Sequence, residues 1–509
     1  MDNNVEQILK GQEELANQSP IFTKSLRTAL EKYLLKNDID TAKKMFRCNK
    51  QRAMEAISQY DPKLHNINNR KDKPRQDQED YKTCKLTDAS QRRINQIASH
   101  FMFANPLKFT LGNSPEETVT LTKHFQLFKD FLKKHYFDEK LYESREITGS
   151  ETECAKLYSI ITNDDGESEI VCQIKCNSKG DTLYSMKNQY GKLVAFAIGY
   201  YLRNEQFQNE EHFDVYTSKD TWCFKKPSEP TDGGWILIKK EPNPIGKIPI
   251  IYYNHETDWD GADSKIEHLE WSLSKNADTI EYFGDPYLLI SPDIADDRLA
   301  GAKEVGKVMV VGEDGRFEFV APPECGDMIQ NQKDNLNEGI ERDTHTPDWT
   351  YKNIMGLGTP SSKALRQSNI AGYVKRDRLA NKYYNELIRR EINLIIAMLC
   401  KYEYVDNSEI AKGLQMLDIN FSYTDPFVGS LDDNSQEIAQ LRGANAMSIH
   451  TAVETNYYVK DKEAEEKRIW EEIERKAMIE AKASASVQKS QDNTGDSNQE
   501  NEEGNKNKE

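Results

Sequence analysis

The chain has little that would mark it as an enzyme, a membrane protein or a disulfide-stapled secreted domain. Across 509 residues no apolar run approaches the ~20 residues needed to span a bilayer, the longest lying near Ile392 to Cys400. There is no HExxH, no Walker A lysine and no GxSxG, which removes the usual signatures of zinc peptidases, P-loop ATPases and α/β-hydrolases. The eight cysteines are scattered, and Cys172 and Cys176 have three residues between them. That is not a CxxC, and no second pair or paired histidines complete a zinc site. Free thiols, buried or carried on strands, are the expectation. The opening MDNNVEQILKGQEEL has neither a basic region nor an apolar core, so no secretory signal is expected and the protein should be made in a cytoplasm, for use there or packaging from it.

Positive charge is also short: 68 Lys and Arg stand against 85 Asp and Glu, a net −17. Proteins that hold nucleic acid tightly recruit cations, because neutralising phosphates releases counterions. This chain should not grip DNA, although an acidic wall could let DNA slide, and acidity also serves solubility.

What is present is a polar globular composition, 37% hydrophobic and 30% charged, long enough for about three domain-sized units. Residues 1–60 read as helical, with Phe22, Leu26, Leu30 and Leu34 on one face. Residues 66–80 are polar and read as an exposed loop. Helices are predicted from about Thr87 to Phe103, stopped by Asn105-Pro106, and from Ser114 to Tyr136. From Lys156 to Ile251 the period changes to that of strands. LYSIIT and EIVCQI flank the turn signal Asn163-Asp164-Asp165-Gly166, and an antiparallel sheet joined to helices predicts an α+β class.

Asp263 to Cys400 is the unusual part. Ser264 and Glu267 fit a capping box, and Ile266, Leu269, Leu273, Ala277 and Ile280 form one stripe before Gly284 and Pro286. VMVVGEDGRFEFV reads as a hairpin over Val308–Val320. A mostly polar helix from Glu324 to Arg342 has only Ile329, Leu336 and Ile340 as apolar anchors, as in helices that pack on partners. A Gly-rich loop follows, then a helix capped by Thr359 with Pro360 at its first position; continuous to Cys400 it would be about 60 Å long. LDINFSYTDPF reads as strand and turn, residues 433–480 as helix, and the chain from about Ala483 as disordered.

Chemistry-bearing candidates are few. Gly356-Leu357-Gly358 lacks the third glycine and the preceding strand of a phosphate loop. Asp258, Asp260 and Asp263 resemble a calcium loop only superficially, because Leu269 stands where a bidentate acid is needed. They read as a solvated acidic helix N-terminus. Trp349 and Tyr351 beside Lys352 could stack on a nucleic-acid strand or pack under their own loop. Lys363, Arg366, Lys375, Arg376 and Arg378 form a basic streak, to be read as a solvated face, as partners for neighbouring acids, or as a surface toward DNA.

The order of these segments resembles the portal proteins of tailed bacteriophages, siphophage type, over about Tyr81 to Glu474. TDASQRRINQIASHFMFANPLKF is similar to the family's early helix and its turn. YSIITNDDGESEI resembles its strand pair, and PIGKIPIIYYNHE the passage into the first stem helix. TPSSKALR resembles a Ser-Gly-x-Ala-Leu motif, with Ser362-Lys363 where Ser-Gly is commoner. AMSIHTAVETNYYVKDKEAEEKRIWEE resembles a late passage, here around Ser448, Thr451, Asp461, Glu463 and Arg468.

The resemblance implies a portal fold: a wing at 1–262, stem helices at 263–283 and 324–344, and a small β-containing clip at 284–323. A tunnel loop at 345–360, a spanning helix with wing return at 361–433, helical crown at 434–482 and disordered tail at 483–509 would follow. It implies a homo-oligomeric ring of twelve subunits at one capsid vertex of a virion, assembled in the host cytoplasm. Partners would be the terminase large subunit, the major capsid protein and scaffold, the head-tail adaptor, and double-stranded DNA held without sequence specificity. Trp349, Tyr351, Lys352, Asn353, Met355 and Leu357 would line the channel constriction, with Lys363 and Arg366 facing the lumen. Glu313, Asp314 and Arg316 would face the terminase. No catalytic residue, cofactor, metal or membrane is expected. The competing readings are a metal-dependent nuclease using the Asp258 cluster, for which no second carboxylate set is visible, and another virion or scaffold component.

Overall fold

The computed structural model describes residues 23–74, 82–162, 168–227, 234–284, 287–290, 307–310, 326–348, 367–426, 438–456, 459 and 461–495. They fall in two compact units, Met1–Asp348 with Asn369–Pro426, and Trp349–Ser368 with Phe427–Glu509.

In the first unit, α1 (Thr23–Leu34) and α2 (Ile39–Lys44) lead through β1 (Arg47–Cys48) to α3 (Lys50–Tyr60) and two 3₁₀ turns. Then come α4 (Ser90–Phe103), β2 (Lys108–Leu111), α5 (Pro115–Lys134) and α6 (Phe137–Glu151). Eight strands follow: β3 (Glu153–Thr162), β4 (Ser168–Lys175), β5 (Thr182–Lys187), β6 (Leu193–Arg203), β7 (Asn209–Thr217), β8 (Asp220–Lys226), β9 (Ile236–Pro242) and β10 (Ile250–Asn254). The expected antiparallel sheet is two sheets, one of order β1-β5-β6-β7-β8-β9 and one of order β10-β3-β4. The turn at 163–166 lies outside the described residues, but its flanking strands pair antiparallel, Thr162 opposite Ser168.

The alternation of side chains stacks these elements into layers. On β6, Ala195 and Ala197 pack with Leu30, Leu34 and Trp222 on the α1 side. Phe196 and Ile198 meet Ala155, Leu157 and Ile250 of the smaller sheet. Tyr158 of β3, the neighbour of Leu157, turns the other way, into the largest core, with Phe128, Ile388 and Ile395. That core includes the long helical run: α9 (Ile370–Leu379), a π turn at Ala380–Tyr384, α10 (Asn385–Met398) and a second π turn at Leu399–Glu403. Gly372 permits the crossing of α9 over α4, since a Cβ there would stand 2.3 Å from the Phe101 ring.

Before α9, α7 (Asp263–Gly284) is followed by β11 (Tyr287–Ile290), β12 (Lys307–Val310) and α8 (Gly326–Thr344); after it come α11 (Ser408–Gln415) and β13 (Ile419–Ser422). β13 pairs with β2, from Ile419 opposite Leu111 to Ser422 opposite Lys108. In the second unit, α12 (Ile449–Thr455) precedes α13 (Lys462–Gly495). They are joined by Lys462 Nζ donating to Glu454 O at 2.6 Å and by a 2.8 Å contact of His450 with Glu466.

Several expectations change. The segment from 66 onward is no exposed loop at its start: Ile67 is fully buried and Arg70 pairs with Asp278. α6 was not anticipated. The helix at 263 begins at Asp263, and Glu267 accepts from Asn66 Nδ2 at 3.2 Å instead of closing a capping box with Ser264. β12 pairs in parallel with β11, Val308 opposite Leu288; the rest of the expected Val308–Val320 hairpin lies outside the described residues, as does the helix start at Thr359. Helix α13 continues twelve residues past 483 before Gly495. Extending an existing helix avoids the nucleation cost, so Ala- and Gln-containing polar sequence can follow it.

Candidate functional site

The tip and loop residues picked out from sequence all lie outside the described residues: Glu313, Asp314 and Arg316, then Trp349, Tyr351, Lys352, Asn353, Met355, Leu357, Lys363 and Arg366. What the structure describes is the pair of helices before and after residues 285–325, and the buried polar networks of the same unit.

Helix α7 has two different faces. Ile266 and Leu269 enter a core with Ile94, Trp259, Ala262 and Ile340. Along another stripe, spaced by four, stand Glu270, Ser274 and Asp278, all buried. The stretch 84–88 runs beside this stripe in the opposite direction. Asp88 N donates to Glu270 Oε1 at 2.8 Å, Leu86 N to Ser274 Oγ at 2.9 Å, and Cys84 N to Asp278 Oδ1 at 2.7 Å. The register works because two extended residues advance about 6.6 Å and four helical residues about 6.0 Å. Backbone donors with no sheet partner are thereby satisfied by a helix surface. Arg70 Nη2 adds a 2.5 Å bond to Asp278, and His65 Nδ1 one of 2.6 Å to Glu270.

Helix α8 lies on α7 through Lys265 with Asp343, and through Gln332 Nε2 at 3.0 Å from His268 Nε2. Arg93 of α4 reaches Glu341 at 3.3 Å. Its end is closed by Thr346 N donating to Glu341 O at 2.9 Å, with His345 in the left-handed region at φ 53°. Thr344 and Thr346 are buried there and share a 2.9 Å hydrogen bond. Farther out the pair is bare: Ile280 is 65% exposed and Met328 68%.

Under the long helix are two buried charge clusters. Arg145 of α6 grips Asp258 through both guanidinium arms, each at 2.9 Å. Lys375 Nζ donates to the Asp258 carbonyl at 2.8 Å and stands 3.8 Å from its carboxylate. Burial alone would raise the Asp258 pKa, but Arg145 and then Lys375 outweigh it and hold the carboxyl below its usual range. Burial takes Lys375 down to about 8, opposed by Asp258. Asp258 is therefore not the solvated helix-terminus acid expected from sequence; both its oxygens are committed to Arg145, which also removes it from the nuclease reading. Among the described residues, no group of three or more His, Cys, Asp or Glu is arranged to hold a metal.

In the second cluster Glu391 of α10 accepts from Lys156 Nζ at 3.1 and 3.3 Å, Tyr158 OH at 2.5 Å and Tyr253 OH at 3.1 Å. The π turn between α9 and α10 presents Tyr383 and Tyr384 together. Tyr383 donates to Glu256 at 2.5 Å, and Tyr384 OH lies 3.1 Å from His255 Nε2. Of the basic streak, Lys375 thus serves an internal acid, and Arg376 pairs with Asp377 at 2.9 Å.

Among the described residues, the paired helices and the long helix are fastened to their surroundings by buried ion pairs and hydrogen bonds. A family model described as phage portal protein, SPP1 Gp6-like, matches residues 42–478. No curated protein matches the chain. With that match spanning most of its length, the chain belongs to the SPP1 Gp6-like phage portal proteins, the siphophage-type head-to-tail connectors of the virion.

Proposed function

We propose that this portal subunit forms one wall segment of a twelve-membered ring through which double-stranded DNA is packaged and later ejected. In this reading α7 and α8 are the stem and 284–323 is the clip. Residues 345–360 are the tunnel loop, with Trp349, Tyr351, Lys352, Asn353, Met355 and Leu357 at the constriction and Lys363 and Arg366 toward the lumen. Residues 1–262 with 361–433 make the wing and spanning helix, and 434–482 the crown. Glu313, Asp314 and Arg316 meet the terminase, which supplies the ATP-driven motor. Assembly with scaffold and major capsid protein occurs in the host cytoplasm, and the head-tail adaptor docks later.

The observation that carries this reading is the asymmetry of the helix pair. Its base is fixed by Glu270, Ser274, Asp278 and Ile340, while Ile280, Met328 and Ile329 stand exposed. Exposed apolar residues on two helices packed against each other fit burial by neighbouring subunits. A net charge of −17 fits a conduit that must release DNA.

Two experiments test it. Met328→Asp with Ile280→Asp should abolish rings in end-on images of purified protein while leaving the subunit folded by circular dichroism; intact rings would remove the stem assignment. Replacing residues 346–358 by a short Gly-Ser linker should leave rings intact but reduce the yield of DNA-filled heads. Unchanged yield would remove the tunnel-loop assignment.

A further inference from the structure

Away from the helix pair, a hollow of about 270 Å³ opens between α1, the start of β6, the turn before β10, and α10. Leu193, Val194, Ile248 and Leu394 form its apolar walls, and three cations line it: Arg27, Lys247 and Arg390. They come from three separate elements. Arg27 Nη1 donates to Ser218 Oγ at 3.1 Å, and its Nε lies 3.7 Å from Glu31. Lys247 Nζ donates to Asn393 O at 2.8 Å, which leaves two of its N–H groups. Arg390 makes no hydrogen bond or ion pair among the described residues.

Three like charges facing one hollow repel one another, and an anion seated there would relieve that repulsion. Burial, then neighbouring Lys401, pushes the Lys247 pKa down. Burial lowers that of Arg390, with only Glu386 opposing. With Glu31 beside Arg27, Glu386 acting on Arg390 and Lys401 acting on Lys247, four cations face two carboxylates, and two positive charges are left unmatched around the hollow.

We propose that this hollow is an anion site for a terminal phosphate group, free or carried as a monoester. Such a group bears about −1.5 to −2 charges near pH 7, which matches the unmatched cations where a single carboxylate does not. Its oxygens accept the two-armed guanidinium fork. The volume falls just under the roughly 300 Å³ at which pockets for larger ligands begin, so a phosphate with a small appendage fits. An internal phosphodiester of a duplex, tethered on both sides, does not.

The test is calorimetric titration and thermal denaturation of the full-length assembled protein with inorganic phosphate, ribose 5-phosphate and acetate, ionic strength held constant with potassium chloride. Saturable binding of phosphate or the monoester is expected, with a raised Tm. Arg390→Gln and Lys247→Gln should each weaken binding about tenfold or more, and Arg390→Lys, which keeps the charge but not the two-armed fork, should weaken it less than Arg390→Gln. Tighter binding of ribose 5-phosphate identifies an esterified source; tighter binding of inorganic phosphate identifies a free one. Acetate binding as well as phosphate, no saturable binding of either phosphate, or affinities unchanged in both Gln variants would overturn the assignment. Lys247→Gln keeps the test decisive should Arg390→Gln fail to fold.

Discussion

His65 Nδ1 lies 2.6 Å from Glu270 Oε1, and both side chains are buried. The other ring nitrogen, Nε2, is 2.7 Å from the carbonyl oxygen of Gln59. A carboxylate and a carbonyl can only accept, so both nitrogens must donate, and the ring is an imidazolium. Burial alone would lower its pKa, but the bond and charge of Glu270, the Gln59 carbonyl and Asp61 outweigh it and the net shift is upward. The charged ring ties the end of α3 to the stripe of α7.

The pH consequence has a definite sign. A raised folded pKa means that stabilisation is fully present below about 6.5, the ordinary histidine value, and is lost as pH rises through the folded value. His255 acts oppositely: burial and then Arg145 take it down to about 4, so it disfavours the folded state as pH falls from 6.5 toward 4. Comparison with a variant isolates His65. The Tm gap between the native protein and His65→Gln should be widest near pH 5.5 and narrow as the pH rises above the ordinary histidine value. A gap independent of pH would mean that the ring is neutral.

Arg145→Met leaves Asp258 buried with only the Lys375 contact. Removing one partner of a buried pair costs about 3–5 kcal/mol, because a charge is stranded without solvent. Replacing Asp258 and both its cationic partners by uncharged residues of similar size removes every charge of the cluster. Arg145→Met with Asp258→Asn and Lys375→Met should therefore recover part of the loss seen in Arg145→Met alone by urea denaturation. A single variant within about 1 kcal/mol of the native protein would show that the pair is not desolvated as described.

These two relationships show what could be read from the residues and what could not. Apolar periodicity located α1, α4, α5 and α7, because those elements bury one regular face, and the strand pattern located the antiparallel pair β3 and β4. Helix α6 escaped notice because much of its buried face is polar: Ser144, Arg145, Thr148, Ser150 and Glu151. Asp258 looked solvated because its partner stands 113 residues away, and a lone acid beside Asp260 and Asp263 has no sequence mark of burial. Glu270, Ser274 and Asp278 did carry a signal, a polar stripe at four-residue spacing. What it met was hidden, since backbone N–H groups leave no side-chain pattern.

The strap along α7 predicts graded losses. Ser274→Ala removes two neutral hydrogen bonds to Leu86, the one accepted from its amide at 2.9 Å and a longer one donated to its carbonyl at 3.4 Å, and leaves that amide unpaired, at about 1–1.5 kcal/mol. Asp278→Ala removes a charged acceptor shared by Cys84 N and Arg70 and should cost more, about 1.5–3 kcal/mol. Hydrogen exchange at the Cys84 and Leu86 amides should accelerate in the matching variant first. Uniform acceleration across 84–88 in both variants would show that the strap detaches as one unit instead of bond by bond.

At Gly372 two effects compete, and their sizes decide the sign. Alanine in place of a helical glycine gains about 0.8–1.0 kcal/mol of helix propensity. The new Cβ, however, would stand 2.3 and 2.4 Å from the Cζ and Cε2 atoms of Phe101, which is 1% exposed and packed edge-on against Tyr373 with ring centroids 5.3 Å apart. The ring is buried and would have to shift, and overpacking of this kind costs about 1–3 kcal/mol. Gly372→Ala should therefore lower the Tm, whereas the double variant with Phe101→Leu should recover part of that loss by making room. An increase in Tm for Gly372→Ala alone would mean that α4 and α9 can separate at this crossing without penalty.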